Sequence, residues 1–249
     1  MARLLGKKAV ITGASTGIGF ATAKEFIAEG ATVIITGQNE ARLTDAAKQL
    51  GEKAISVRAD VRSLEDLDNL AARVKAEFGS IDILFANAGV GQFSPLGQIN
   101  EEFYNHQFDI NVKGVFFTVQ KLSNLLSPRA SVILNASAVN TKGAATGSVY
   151  FATKAAVRSF ARSLAAELGD RNIRVNAISP GIVRTEFQGK MGLPKEAVEG
   201  FINVVRQASP LHRDGEASEI AKAVVFLASE DSAYMTANDL VVDGGYMNV

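Results

Sequence analysis

The chain has 249 residues, 26 Lys and Arg against 26 Asp and Glu, two histidines, and neither cysteine nor tryptophan. With 47% hydrophobic and 21% charged residues it can bury a substantial core, and its length suits one α/β domain. The lack of cysteine excludes disulfides, thiol nucleophiles and cysteine-based zinc sites, and His106 and His212 alone do not indicate a metal site. Zero net charge, with no basic run longer than Lys7-Lys8, argues against binding to nucleic acid.

The apolar runs are too short to cross a membrane. The basic N-terminal residues are followed only by Ala9-Val10-Ile11, and the run from Ala223 to Ala228 has the length of a core-helix segment. A spanning helix needs about 20 apolar residues. We therefore expect a cytoplasmic protein with no membrane partner.

Short β-branched runs alternate with longer helical patterns. The predicted strands are Ala9–Thr12, Thr32–Thr36, Ala54–Arg58, Ile83–Ala86, Ser131–Asn135, Arg174–Ile178 and Leu240–Val242. The predicted helices are Ile18–Glu29, Glu40–Leu50, Leu64–Phe78, Glu102–Leu126 and Ser148–Gly169. This alternation predicts an α/β fold with a doubly wound, mostly parallel, seven-stranded sheet of the Rossmann type and helices on both faces.

The regular pattern stops between Thr185 and Glu216. This stretch contains several glycines together with Pro194 and Pro210. A long irregular segment in a compact domain is usually functional or mobile. We therefore predict one domain over residues 1–249 with a substrate lid at about residues 185–216.

A glycine-rich turn, running from Thr12 to Gly19, directly follows the first strand and opens the first helix. Its glycines let the backbone approach a pyrophosphate, which then lies on the N–H groups at the helix N-terminus. The same turn satisfies G-x-S-x-G, the nucleophile elbow of serine hydrolases, through Ser15. An elbow serine normally follows several strands, whereas Ser15 follows the first, and His212 comes later but lies in the irregular segment. A hydrolase using Ser15 is thus the remote alternative.

Tyr150 and Lys154 stand one helical turn apart and share a face. A free tyrosine has a pKa of about 10, and a cation nearby lowers that pKa by stabilising the phenolate. The pair therefore has the chemistry of a general acid and base for a carbonyl or hydroxyl oxygen. On its own, this spacing more often gives a packed tyrosine and a solvated lysine.

Two further polar residues occupy notable positions. Ser137 follows the fifth strand, at the edge where open α/β sheets bind ligands, so its hydroxyl either bonds a substrate oxygen or satisfies loop backbone. Asn111 lies inside a long helical pattern, where Asn is an indifferent helix former. A polar residue there that faces solvent or bends the helix is the plain alternative.

Together these motifs resemble those of the short-chain dehydrogenase/reductase family along the whole chain. Besides the glycine turn and Y-x-x-x-K, they are Asn87-Ala-Gly89, Asn111 in Asn-Val-Lys-Gly, Ser137, Asn176-Ala-Ile-Ser-Pro-Gly181 and Asp243-Gly-Gly245. Each short pattern is weak alone, and their order and spacing carry the resemblance.

The resemblance implies an NAD(P)-dependent oxidoreductase that transfers a hydride reversibly between nicotinamide and a ketone or secondary alcohol. It implies that Tyr150 exchanges the proton, Ser137 polarises the carbonyl, Lys154 binds the nicotinamide ribose, and Asn111 holds a water linking the lysine to solvent. A non-catalytic, cofactor-binding regulator on the same fold is the alternative, although such a protein is expected to lose the tyrosine or the lysine.

The resemblance also implies a set of cofactor contacts. They are Gly13, Ser15, Thr16, Gly17, Ile18, Gly19, Gly37, Gln38, Asp60, Val61, Asn87, Ala88, Gly89, Tyr150, Lys154, Pro180, Gly181, Val183 and Thr185. Asp60 and Val61 would lie beside the adenine, although Asp60 would equally serve as a helix cap. Thr185 would meet the carboxamide.

The choice between the two nicotinamide cofactors depends on the end of the second strand. An acidic residue there normally binds the adenine ribose and repels a 2′-phosphate, and Gly37 occupies that position. No basic residue stands at Gln38 or Thr16 either. The groups that remain for a phosphate pocket are those of Ser15, Gln38, Asn39 and Arg42. We expect NADP(H) to be favoured over NAD(H).

The substrate pocket is predicted to be apolar. Its expected walls are Phe93, Val139, Phe187 and Met191. No Arg or Lys is clearly positioned for a substrate carboxylate or phosphate, and Arg184 and Lys190 are the candidates that remain. This favours an uncharged, moderately apolar ketone or secondary alcohol. The resemblance further implies a homotetramer joined through the two long predicted helices and the C-terminal segment.

Overall fold

The computed structural model of this chain describes residues 2–249. Its strands are β1 (Lys8–Ile11), β2 (Thr32–Gly37), β3 (Ala54–Arg58), β4 (Ile81–Ala86), β5 (Leu126–Asn135), β6 (Arg174–Pro180), β7 (Val183–Arg184), β8 (Gly215–Glu216) and β9 (Asp239–Val242). Its helices are α1 (Gly17–Ala28), α2 (Glu40–Leu50), α3 (Leu64–Phe78), α4 (Glu101–Phe108), α5 (Gly114–Leu122), α6 (Ser148–Leu168), α7 (Lys195–Ala208) and α8 (Ala217–Ala228).

Seven strands form one parallel sheet in the order β3-β2-β1-β4-β5-β6-β9. Its central strands are apolar on both sides because a separate core covers each face. Val10 and Leu84 belong to the core beneath α3, α5 and α6, whereas Ile11 and Phe85 belong to the core beneath α1 and α8. The predicted doubly wound, seven-stranded sheet is confirmed.

The strand order reverses beside β1, which pairs with β2 on one side and with β4 on the other. At such a point the connections leave toward opposite faces of the sheet and open a crevice beyond the carboxyl ends of the strands. The glycine turn after β1 and Asn87-Ala-Gly89 after β4 both lie at this crevice. The topology therefore brings the two motifs into contact, since Asn87 binds Thr12, which lies 75 residues earlier in the chain.

The predicted helix over Glu102–Leu126 is present as one continuous helical stretch that ends at Leu125, but it is not a regular α-helix along its whole length. The chain forms α4, a π-helical turn over Asp109–Lys113, α5 and a short 3₁₀ turn, and β5 already begins at Leu126. Single π turns inside helices are frequently found at functional sites. Here the turn carries Asn111 into the interior, where its side chain is fully buried.

The stretch between Thr185 and Glu216 was predicted to be irregular throughout. This prediction was wrong for residues 195–208, which form the helix α7. Apolar side chains recur with helical spacing at Val198, Phe201, Ile202 and Val205, and they face the core cluster around Tyr150 or its cavity. The glycines and prolines of the stretch indicated a loop and so hid this helical spacing. Pro194 does not interrupt the helix, because it occupies the N-cap position. The two ends of the stretch meet where β7 pairs with β8.

No helix within residues 2–249 combines the length and the apolar character needed to cross a membrane.

Candidate active site

The glycine turn is fastened to the loop after β4. The Asn87 side-chain amide donates to the carbonyls of Thr12 and Gly13, each at 3.0 Å, while the Thr12 hydroxyl accepts from the backbone N–H groups of Asn87 and Ala88. Gly13 has a φ of +63°, and a Cβ there would lie 2.7 Å from the Ala88 Cα. Only glycine fits this close approach, so the turn is held in one shape before any ligand binds.

A cleft of about 570 Å³ opens along the carboxyl ends of the strands. Thr16 precedes α1 without making a side-chain cap, so the first N–H groups of that helix are available to an anion. Gly17, with a φ of +59°, has no side chain that could cover the N-terminus of the helix. The size of the cleft, its glycine floor and its helix terminus fit a dinucleotide.

All but one of the predicted cofactor contacts line this cleft. The exception is Gly19, which faces the turn itself, since a Cβ there would lie 2.9 Å from the Ala14 Cα. Sequence reasoning did not select several other lining residues, which are Thr36, Ala59, Val90, Ile110, Asn135, Ala136, Glu186 and Lys190. Most of them adjoin a selected residue in the sequence.

Asp60, at one end of the cleft, forms an ion pair with Arg62 at 2.6 Å. The hydrogen bond from Arg62 lowers the pKa of the Asp60 carboxyl below its ordinary value. Asp60 does not cap α3, as the alternative interpretation proposed, because Ser63 occupies that position and accepts from the N–H of Asp66 at 3.1 Å. The carboxylate therefore lines the cleft as a fixed negative charge.

Ser137, Tyr150 and Lys154 meet at the inner end of the cleft. The helix α6 carries Tyr150 and Lys154 on one face, and their residues are only 8% and 5% exposed. Ser137 follows β5 and lines the same part of the cleft as Tyr150, and its hydroxyl accepts from the Val139 N–H at 3.4 Å. The Lys154 ammonium lies 5.8 Å from the centre of the Tyr150 ring and donates to the Asn135 carbonyl at 2.8 Å.

Burial moves the pKa values of both ionisable groups. It raises the pKa of Tyr150 to about 12, although the nearby Ser137 hydroxyl opposes the shift, and it lowers the pKa of Lys154 to about 8. The net shift of the Tyr150 pKa is upward, so burial outweighs the lowering that the sequence predicts from Lys154. Tyr150 is a protonated phenol at neutral pH, which suits a proton donor.

Asn111 holds the loop that follows β4. Its side-chain oxygen accepts from the Val90 N–H at 2.9 Å, and its amide donates to the Val90 carbonyl at 2.8 Å and to the Thr153 hydroxyl at 3.0 Å. The solvent-facing alternative is therefore wrong. The same side chain lies against Gly89, where a Cβ would come 3.2 Å from its oxygen and 3.4 Å from the Lys154 Nζ.

Gln107, one turn earlier on α4, repeats this arrangement and was missed by sequence reasoning. Its side chain accepts from the Gln92 N–H at 3.0 Å and donates to the Gln92 carbonyl at 3.2 Å. Gln107 is fully buried, and its four-residue spacing from Asn111 was the available signal. Two amide side chains thus fix the loop that leads to Phe93.

The predicted pocket residues Phe93, Val139, Phe187 and Met191 line one cavity beside Ser137 and Tyr150. The Phe93 N–H donates to the Met191 carbonyl at 3.1 Å, which joins the loop after β4 to the segment before α7. Further walls come from residues that sequence reasoning missed, namely Phe201, Ile202, Val205 and Tyr246. Three of these lie on the unpredicted helix.

The residues of the hydrolase alternative are separated. Ser15 lines the cleft next to Gly37, whereas His212 is exposed beyond the end of α7 and is not among the residues that line the cleft. Nothing in this arrangement supplies Ser15 with a base.

Comparison with known proteins identifies the family. A sequence model described as enoyl-(acyl carrier protein) reductase matches residues 13–247. The chain belongs to the short-chain dehydrogenase/reductase family. It is similar to oxidoreductase asL5 of Sarocladium schorii, with 45% identity across 99% of this chain and 98% of the relative. It is also similar to galactitol 2-dehydrogenase of Agrobacterium fabrum, with 40% identity across 98% of each protein.

Solved structures of the short-chain dehydrogenase/reductase family agree with this assignment. The L-sorbose reductase of Gluconobacter frateurii, solved as a complex with NADPH and L-sorbose, superposes with a TM-score of 0.91, 31% sequence identity and full coverage of both chains. The protein is accordingly an NAD(P)-dependent oxidoreductase that acts on alcohol and ketone groups.

Proposed function

We propose that this enzyme reduces an uncharged, apolar ketone, and oxidises the matching secondary alcohol, through Asn111, Ser137, Tyr150 and Lys154. The observation that carries the proposal is the position of Ser137 and Tyr150, whose side chains line both the dinucleotide cleft and the apolar cavity. A carbonyl oxygen bound there would meet two hydroxyl groups at once.

Each residue has a distinct task in the proposed reaction. The bound nicotinamide cofactor supplies or accepts the hydride. Tyr150 gives its hydroxyl proton to the carbonyl oxygen during reduction and recovers it during oxidation, while Ser137 donates a second hydrogen bond to the same oxygen. Lys154 holds a positive charge near the phenolate that remains, and Asn111 keeps the loop around Gly89 in place beside it.

The proposed proton transfer is tested by Tyr150→Phe. This variant removes only the hydroxyl, so we expect kcat for ketone reduction to fall by at least about 10²-fold, the usual contribution of general acid catalysis. Binding of NADPH, measured by its fluorescence, should change little. The matched control is Tyr104→Phe, because Tyr104 is an exposed residue on α4. A Tyr150→Phe enzyme with the kcat of the parent would show that another group moves the proton.

The proposed cofactor is NADP(H) in preference to NAD(H). In support, the cleft beside the end of β2 is lined by Ser15, Gly37, Gln38, Asn39 and Arg42, with no carboxylate at the strand end. Arg42 forms an exposed ion pair with Glu186 at 3.4 Å across the cleft, so its guanidinium reaches the region where a 2′-phosphate would lie. Glu40 starts α2 and does not line the cleft among the residues described.

We further propose a cytoplasmic homotetramer. Partly exposed aromatic rings support such an assembly, since the half-buried rings of Phe116 on α5 and Phe160 on α6 lie 5.5 Å apart in a tilted pair. The edge strand β9 is likewise only partly covered, and Tyr234 before it is fully exposed. Apolar surface of this kind commonly belongs to an interface.

A further inference from the structure

We propose that the substrate carries an aromatic ring within two bonds of its carbonyl carbon, so that the enzyme takes aryl or benzo-fused ketones rather than ketoses or polyols. The inference rests on the proposed function, since it concerns the occupant of the cavity beside Tyr150 and Ser137. Three observations lead to it: the ring-lined walls, the engaged polar groups and the lack of charge.

The walls of the cavity are built from aromatic rings that contact one another. The Phe93 ring lies at the centre, 5.6 Å from the Tyr150 ring, 5.8 Å from the Phe201 ring and 6.3 Å from the Phe151 ring. The Phe187 ring lies 5.9 Å from the Tyr150 ring on the other side. These are ordinary distances for tilted and edge-to-face ring pairs. An aryl group entering beside the phenol would therefore be surrounded by ring faces and edges.

Gly91 permits this arrangement. A side chain at position 91 would collide with the Phe187 ring and would come 3.1 Å from the Cε2 atom of Tyr150. The loop is held at this distance because Asn111 and Gln107 bind Val90 and Gln92 on either side of the glycine. The Phe187 and Tyr150 rings therefore lie in contact with each other and together form one wall of the cavity, which is the substrate slot.

Few polar side chains are available in the cavity. Besides Ser137 and Tyr150, which would both bind the carbonyl oxygen, the lining has only Gln188 and Tyr246. The Gln188 amide is already engaged, because it donates to the Val183 carbonyl at 2.6 Å and its oxygen faces the N–H of Thr185 at 3.3 Å. The ring of Tyr246 is covered by the Lys142 ammonium, whose nitrogen lies 4.1 Å from the ring centre.

Within residues 2–249, the lining of this cavity has no carboxylate, guanidinium or ammonium group. A ketose or polyol would bury several hydroxyl groups against rings and methyl groups, and each buried hydroxyl without a partner weakens binding. An aryl ketone has one polar atom, and that atom meets Ser137 and Tyr150. In the reaction, NADPH is oxidised to NADP⁺ as its hydride forms the new C–H bond, and the carbonyl oxygen takes the Tyr150 proton.

The test compares 2-tetralone with D-fructose as substrates of the wild-type enzyme in the presence of NADPH. We expect kcat/KM for 2-tetralone to exceed that for D-fructose by at least about 100-fold, the scale on which pockets discriminate through unpaired polar groups. A higher kcat/KM for D-fructose would overturn the substrate class and leave the proposed function intact.

The ring contribution is tested with Phe201→Leu, which keeps the wall apolar and removes one ring. We expect kcat/KM for 2-tetralone to fall about threefold to tenfold relative to that for 2-octanone, the range expected for one aromatic pair. Phe103→Leu is the matched control because Phe103 lies on α4 and does not line the cavity. An equal loss for both ketones in Phe201→Leu would contradict the proposed ring contacts.

Calorimetric titration of the NADP⁺-loaded enzyme with 2-tetralone separates the two proposals. Binding without reduction in the NADPH assay would support the aromatic pocket and contradict the proposed function. If 2-tetralone neither binds nor is reduced, the aromatic substrate class is overturned.

Discussion

At the scale of single residues, burial acts in opposite directions on the two ionisable groups of the catalytic set. Transfer from water disfavours the charged form, so the pKa of Tyr150 rises to about 12 and the pKa of Lys154 falls to about 8. Tyr150 therefore stays protonated throughout the neutral range. Lys154, in contrast, loses its proton in the range where enzymes are usually assayed.

This difference predicts the pH dependence of ketone reduction. Lys154 carries its charge below a pH of about 8 and loses it above, and without that charge the phenolate formed by proton donation is no longer stabilised. We expect kcat/KM for reduction to be constant at lower pH and to fall as the pH rises through about 8. Ionisation of Tyr150 should not lower kcat/KM at any pH below about 12.

The measurement is a steady-state pH profile from about pH 6 to about pH 10. Lys154→Arg serves as the comparison, since a guanidinium stays charged throughout and should remove the fall near pH 8 even if the overall rate is lower. A wild-type profile that remains level across this range would contradict the assignment to Lys154.

Gly37 gives a second prediction for a single residue. A Cβ at this position would lie 3.4 Å from the Ser15 Oγ and 3.7 Å from the Leu43 Cδ1, so a short side chain needs little rearrangement. Gly37→Asp should raise the Kd for NADPH by roughly 10-fold or more through repulsion of the 2′-phosphate, and should leave the Kd for NADH equal or lower. Fluorescence titration measures both constants.

Gly37→Asn is the matched control because asparagine has the shape of aspartate without the charge. If asparagine and aspartate raised the Kd for NADPH equally, the effect would be steric, and charge at the end of β2 would not determine the choice of cofactor.

At the scale of elements, α4 and the following π turn build the wall of the active site. Asn111 and Gln107 each bind both backbone groups of one loop residue, as a neighbouring β-strand would. The buried polar groups of the loop are thereby satisfied without any regular structure of its own. The loop carries Gly91 and Phe93, so the shape of the substrate slot depends on side chains that do not touch it.

Gln107→Leu tests this role. The substitution keeps an apolar volume but leaves the N–H and carbonyl of Gln92 without partners, at a cost of about 1–3 kcal/mol. We expect KM for the ketone to rise by roughly 10-fold, with a smaller change in kcat, because the slot is misaligned while the catalytic hydroxyls remain. Steady-state kinetics and thermal unfolding measure the two effects.

Gln120→Leu is the control, since Gln120 is an exposed residue of α5. Gln107→Glu keeps the acceptor for the Gln92 N–H and should recover part of the KM. A loss of thermal stability in Gln107→Leu without any change in KM would make Gln107 a purely structural residue.

At the scale of the whole molecule, the sheet was predictable because its signals are local. Each strand is an apolar run of a few residues, and several motif residues come soon after one of them, as Asn87 follows β4 and Ser137 follows β5. The right-handed alternation of strand and helix then brings the motifs to one edge. The seven predicted strands and the assembly of the cofactor cleft follow from these short-range patterns.

The features that were missed depend on contacts between distant parts of the chain. The π turn forms where Asn111 reaches Val90 and Thr153, and the direction of the Tyr150 pKa shift depends on how completely other segments cover the phenol. The helix α7 was hidden because glycines and prolines in its surroundings indicate loops, although Gly200 lies on its exposed side. Neither local propensity nor motif spacing contains this information.

The contact between the Phe93 N–H and the Met191 carbonyl has a kinetic consequence. Together with the Phe187 ring over Tyr150, it closes the slot from the side of the predicted lid. We expect a product formed beside Tyr150 to leave on this side, after the hydrogen bond and the ring contacts separate. If the lid moves as predicted, the frequency of that opening sets an upper limit on turnover, however fast the bond-forming step is.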